Sequence, residues 1–355
     1  MKDDKIAWVQ CAKGLTICLV VYGHAMYGVN TAVGLNPTFF DYCNDFFNIF
    51  RMPLFFFVSG IFAARSIARP ANQFLNRTVL HFVYIYIVWC VIQYSFRMMT
   101  GSVANHEIDP YAILYIAYQP INVLWFVYVL LAFFLITRLL RPVPYFIVLP
   151  LAGALAVTPM DTGSYSLDHF CGTYVFFLMG YYGSGMILEQ AKRFRPIHAA
   201  VLVPLFSAVT LAVIYADLRQ VPMIWLTCAI FGIFAMATLC ICLSELRLDG
   251  VFRYMGSYSL PIFVSHTIAT AGTRVILSKL GLGDQPGLLL VGSTLGGVFL
   301  PILLAETCDR LKFPWLFRKP DWFTISPSAG DPSADNPSAG PQDTNRRLAD
   351  SSAQP

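Results

Sequence analysis

Lys13 and His24 lie eleven residues apart within the first apolar stretch of the chain, WVQCAKGLTICLVVYGHAMYGV. At about 100° per residue this spacing is close to three helical turns, so one helical face carries both side chains, roughly 16 Å apart along the axis. A lysine inside an apolar span costs on the order of 2.5–3.5 kcal/mol on insertion scales, which makes it a functional candidate by default. An imidazole can serve as a general acid or base near neutral pH, and an ammonium group is a point charge for an anion. The pair therefore offers proton transfer at one depth and anion binding at another.

Other candidates follow from the same reasoning. Arg51, in NDFFNIFRMPLFFFVSG, falls in the second apolar run at a depth that matches His24 if that run returns across a membrane. Asn44, Asp45 and Asn48 are near the same level. A histidine between carboxylate and guanidinium candidates can be held in one tautomer. The spacing alone fits equally well an Arg51 that snorkels to the surface and a His24 that merely hydrogen-bonds a neighbour. Toward the other end, Lys13, Arg77 and His81 suggest a basic mouth, with Arg65 and Arg69 in the connecting loop, suited to a phosphate-bearing ligand. His266 sits at mid-depth of a later span, where a satisfied core histidine is the common case. Trp125 opens another span, where tryptophan usually anchors at an interface. His106, His169 and His198 fall in loops or at helix ends. The nine cysteines form no metal-ligand spacing and read as small core hydrophobes; no metal site is expected. No phosphate loop, nucleophile elbow or dinucleotide fingerprint occurs in a credible context.

These residues need an all-α scaffold. The chain of 355 residues is 57% hydrophobic and 12% charged, against about 25% charged in soluble proteins, so it reads as a polytopic integral membrane protein with no nucleic-acid role. Apolar runs near 6–28, 45–64, 78–97, 119–138, 143–158, 170–188, 198–216, 222–244, 256–276 and 287–305 predict about ten transmembrane helices, the fifth short. Pro120 is expected to separate an interfacial piece from the fourth span. The first run is too long, and too closely followed by others, for a cleaved leader. With both termini cytoplasmic, lysine and arginine gather in the inner segments, and the outer ones carry only Arg97, Arg219, Arg274 and Lys279. Residues 1–320 are expected to form the membrane domain. Residues 321–355, rich in Pro, Ser, Ala, Gly and Asp, are expected to be a disordered cytoplasmic tail.

The motifs resemble acyltransferase family 3, integral-membrane O-acyltransferases of bacterial glycans, and its sugar O-acetylase-like members most. The family carries a basic residue and Gly followed by His, here Lys13-Gly14 and His24. MPLFFFVSG at 52–60, Trp125-Phe126, FFLMG at 176–180 and GSYSLPIFVSH from Gly256 to His266 match in order and spacing, over roughly residues 5–315. The chain departs where the family commonly has Asp-x-x-Arg: here Gln10-Cys11-Ala12-Lys13 keeps a charge but loses the bidentate fork. The resemblance implies acyl transfer from cytoplasmic acyl-CoA, acetyl-CoA by family habit, to a hydroxyl of a glycan or lipid-linked saccharide outside the bacterial inner membrane. It implies His24 as general base, Arg51 as orienting group or oxyanion partner, Lys13 and Arg77 at the donor, and Trp125 and His266 along the substrate channel. Two other classes remain open at this stage: a multi-span transporter or flippase of an envelope precursor, and an accessory subunit without chemistry. The sequence fixes neither the acceptor nor the oligomeric state.

Overall fold

The computed structural model describes residues 4–100 and 109–325. Among them the regular structure is helical, without strands. Helix α1 spans Asp4–Val33 and α2 spans Pro37–Ile67. α3 covers Ala71–Met99 and contains a π turn at Leu75–Val79. Then come α4 (Trp125–Leu139), α5 (Tyr145–Val157), α6 (Tyr165–Gln190), α7 (Pro196–Tyr215) and α8 (Pro222–Glu245). A short α9 (Gly250–Ser257) leads into α10 (Ser259–Leu277), and α11 (Pro286–Arg310) closes the bundle. Eight of the described helices are long and apolar enough to cross a membrane; α5, with 13 residues, is a shorter apolar helix, as its sequence predicts.

The local signals act where they are expected. Asn36 caps α2 by accepting from the Phe39 N–H at 3.1 Å, and Pro37 occupies the first turn, where no N–H partner is lost. Pro120 stands in the irregular stretch between a 3₁₀ turn at Ala112–Tyr115 and α4, so the long apolar run is indeed divided there. The ninth predicted span is divided too: α9 ends at Ser257, Tyr258 leaves helical geometry, and Pro261 falls within the first turn of α10. Arg138 at the end of α4 donates to the Ile67 and Arg69 carbonyls at 2.7 and 2.9 Å and lies over the Phe74 ring. One of the loop-end arginines thus caps the carbonyl end of α2.

α1 is the hub and packs against α2, α8, α9, α10 and α11. Two crossings bring backbones into direct contact. A β-carbon at Gly14 of α1 would collide with the Phe252 carbonyl of α9, and one at Gly256 with the Gln10 carbonyl. Likewise Gly60 of α2 and Gly180 of α6 face the Phe177 and Phe57 carbonyls. Such small-residue crossings are how apolar helices associate where lipid supplies no hydrophobic drive. The glycines of four sequence motifs are therefore paired packing positions. Residues 314–325 fold back on α3: Trp89 donates to the Leu316 carbonyl at 2.8 Å, and Asn76 exchanges two hydrogen bonds with Ile325. The chain is thus held in place past residue 320; residues 326–355, the bulk of the expected tail, lie outside the described residues.

Gly180→Ala should lower the thermal unfolding midpoint of the detergent-purified protein, as overpacking of about 1–3 kcal/mol predicts. Gly185→Ala on the same helix, where a methyl group meets open space, should not. Equal midpoints for the two variants would disprove this account of the crossing.

Candidate active site

Two cavities between the helices take in the candidate residues. The larger, about 640 Å³, lies at the end of the bundle reached by the C-terminal parts of α1, α3 and α10. Its walls include His24, Arg51, Arg97, Arg274, Asn44, Gln93 and Asn122. The smaller, about 190 Å³, lies deeper, and its lining includes Lys13, Ser59, His81 and Ser259 among phenylalanines.

His24 and Arg51, matched in depth by sequence, do meet in the larger cavity. The Arg51 guanidinium lies against the backbone of Gly23, in a notch that any side chain at that position would fill. Its Nη1 is buried and has no hydrogen-bond partner. His266 of α10 completes the group: its ring centroid is 5.0 Å from that of His24. His266 is fully buried, lines neither of these cavities and stands behind His24. Its Nδ1 faces the Phe263 and Ile262 carbonyls at 2.7 and 3.1 Å and must donate to them. In the neutral ring the proton is therefore on Nδ1, and the lone pair is on Nε2, which is buried and has no hydrogen-bond partner.

The carboxylate considered for His24 is engaged elsewhere, because Asp45 pairs with Arg219 at 3.2 Å. Gln93, buried in α3, donates to the Val264 carbonyl of α10 at 2.9 Å and accepts from Asn122 at 3.2 Å. That bridge fixes the cavity wall on the side opposite α2. Gln93, Asn122 and Arg274 carry no sequence signal beyond being polar in or near apolar runs.

Lys13 lies 4.5 Å from the centre of the Phe62 ring, an attractive cation–π contact. No carboxylate pairs with it among the described residues, and His81 shares its chamber. Arg77 does not: it is exposed in the π turn of α3 and lines neither cavity. It belongs instead to a cluster with Arg65 and Arg69, in which burial and then the Arg77 and Arg65 charges lower the Arg69 guanidinium below its ordinary value. Arg318 and Lys319, in the returning segment, bring further positive charge toward His81. This end of the bundle is thus basic from several elements.

Trp125 also lines neither cavity. It packs on His169 at 4.5 Å and Tyr165 at 5.7 Å, while its neighbour Phe126 lines the Lys13 chamber. On the side facing His266, that chamber is walled by three rings. Phe55 stacks on Phe126 at 4.7 Å, Phe126 lies 4.8 Å from Phe263, and Phe263 lies 5.9 Å from His266. All nine cysteines are free, and no group of three metal-ligating side chains occurs among the described residues.

The arrangement is a histidine with a second histidine behind it and a guanidinium beside it, set at a cavity of a multi-pass membrane protein. No curated protein and no solved structure matches the chain. A family model described as an acyltransferase domain does match, over residues 6–306, a range that takes in both cavities and every helix from α1 to all but the end of α11. The chain therefore belongs to acyltransferase family 3.

Proposed function

We propose that the protein transfers an acetyl group from acetyl-CoA to a hydroxyl of a cell-envelope or exported glycan, with His24 as general base. The meeting of His24 and Arg51 in one cavity, with His266 of a third helix packed against His24, in a chain of an acyltransferase family, carries this reading. The protein would sit in the bacterial inner membrane with both termini in the cytoplasm. The basic end, with Lys13 and the arginines at 65, 69 and 77, then faces the donor's phosphates, and the larger cavity faces outward. Lys13 is well placed for the anionic donor because its chamber holds no competing carboxylate among the described residues.

His24 takes the proton of the acceptor hydroxyl as its oxygen attacks the thioester carbonyl carbon. The carbonyl oxygen becomes an oxyanion, and Arg51, whose Nη1 lacks a partner in the protein, donates to it. The carbon–sulfur bond then breaks, and the departing thiolate receives the proton from His24. His266 acts through His24: its bare Nε2 can accept the N–H of one His24 nitrogen and leave the other basic toward the cavity. The donor's acyl arm reaches His24 only when the Phe55, Phe126 and Phe263 rings part.

His24→Ala should cut acetyl transfer in isolated membranes by about 10²–10⁴ at normal expression, the usual worth of a general base; undiminished activity would remove His24 from the mechanism. Gly23→Ala fills the notch that seats Arg51, so it should lower turnover toward the level of Arg51→Ala, about 10²–10³ below wild type. The double variant should be no worse than Arg51→Ala alone, because both changes act on one group. Additive losses would show that Gly23 serves something other than Arg51.

A further inference from the structure

The larger cavity has a charge pattern that acetyl transfer to a neutral sugar does not call for. Three arginines line it, from three helices: Arg51 of α2, Arg97 of α3 and Arg274 of α10. No carboxylate is among the described residues that line it, and the nearby Asp45 is held by Arg219. Two of the guanidinium groups are built in. Arg51 lies against Gly23 and Arg274 against Gly28, and a β-carbon at either glycine would occupy the place of the Nη1 atom. The two notches are five residues apart on α1, roughly 7.5 Å of rise, and His24 lies between them in the chain. The remaining polar lining, Asn44, Gln93 and Asn122, can hydrogen-bond saccharide hydroxyls.

From this we infer that the acceptor is anionic, a saccharide bearing a carboxylate or phosphate that docks between Arg51 and Arg274 with its reactive hydroxyl at His24. The inference rests on the acyl-transfer reading of this site. Arginine's planar fork matches both anions in a way that a sugar hydroxyl does not require. The reaction supplies a second reason. An imidazole beside two guanidinium groups must itself become positive when it takes the hydroxyl proton, and a negative group arriving with the acceptor offsets that repulsion. On the acyl-transfer reading the donor's phosphates are met by Lys13 and the arginines at 65, 69 and 77, none of which lines this cavity.

The test uses the full-length protein in lipid nanodiscs with radiolabelled acetyl-CoA and two matched acceptor pairs. One pair is a glucuronate-terminated oligosaccharide and its glucose-terminated counterpart. The other is a farnesyl-phosphate-linked disaccharide and its phosphate-free farnesyl glycoside. At least one anionic member should exceed its neutral partner tenfold or more in kcat/KM, and the pair that does so tells carboxylate from phosphate. Arg274→Ala should raise KM for that acceptor at least tenfold while KM for acetyl-CoA stays unchanged, and Arg274→Lys should recover part of the loss. Equal use of neutral and anionic acceptors, or an Arg274→Ala defect of the same size on both, would overturn the inference. Thermal stabilisation by the same compounds separates it from the reading beneath it. If no compound is acetylated but the anionic ones stabilise wild type and not Arg274→Ala, the anion site stands and the acetyl-transfer reading fails. If no anionic compound stabilises the protein or is acetylated, the inference is wrong.

Discussion

A positive charge placed among apolar helices has to be met from within the protein, and the bundle is arranged around doing so for Arg51 and Lys13. Arg51 is accommodated by an absence: Gly23 leaves room for the guanidinium to lie flat on the α1 backbone at the wall of a cavity. Lys13 is accommodated by the face of Phe62 and by a small chamber that also holds Ser59, His81 and Ser259. Both solutions fix where α1 and α2 stand relative to each other. Once those two helices are set, the glycine crossings at Gly14–Gly256 and Gly60–Gly180 bring α9 and α6 against them. α10 follows directly after α9 and carries His266 to His24. The second histidine is thus a consequence of how the first helix is packed.

Much of this was legible in the sequence because depth in a membrane is nearly a one-dimensional quantity. Hydropathy and charge placed His24 and Arg51 at one level, and the structure joins them. Hydropathy also located the helices, the break at Pro120 and the short α5, although α2 and α3 begin seven or eight residues before the apolar runs that mark them. What depth cannot give is rotation and neighbourhood. His266 was placed at mid-depth, but the sequence could not say that it stands behind His24, because 242 positions separate them and only tertiary packing relates them. Arg274 was counted as outer-loop charge, yet it turns inward against Gly28.

Arg77 shows the complementary difficulty. At four residues from His81 it would share a helical face with it under ordinary periodicity. The π turn at Leu75–Val79 admits an extra residue and rotates everything before it, so His81 enters the Lys13 chamber while Arg77 faces out. Asp45 was a reasonable partner for His24 by depth, but Arg219, from the loop before α8, reaches it instead. Trp125 carried a motif match, and its role is to pack on Tyr165 and His169 while Phe126 meets the chamber.

The packed rings of Phe55, Phe126 and Phe263 have an electrical meaning as well as a steric one. They form part of the wall of the Lys13 chamber, while three arginines line the cavity nearer the C-terminal end of α1. A membrane voltage of 100 mV is worth about 2.3 kcal/mol per elementary charge across the full bilayer, and apolar rings packed between charged side chains take a share of that drop. Any parting of these rings has to keep water out, or ions would follow it and discharge the membrane.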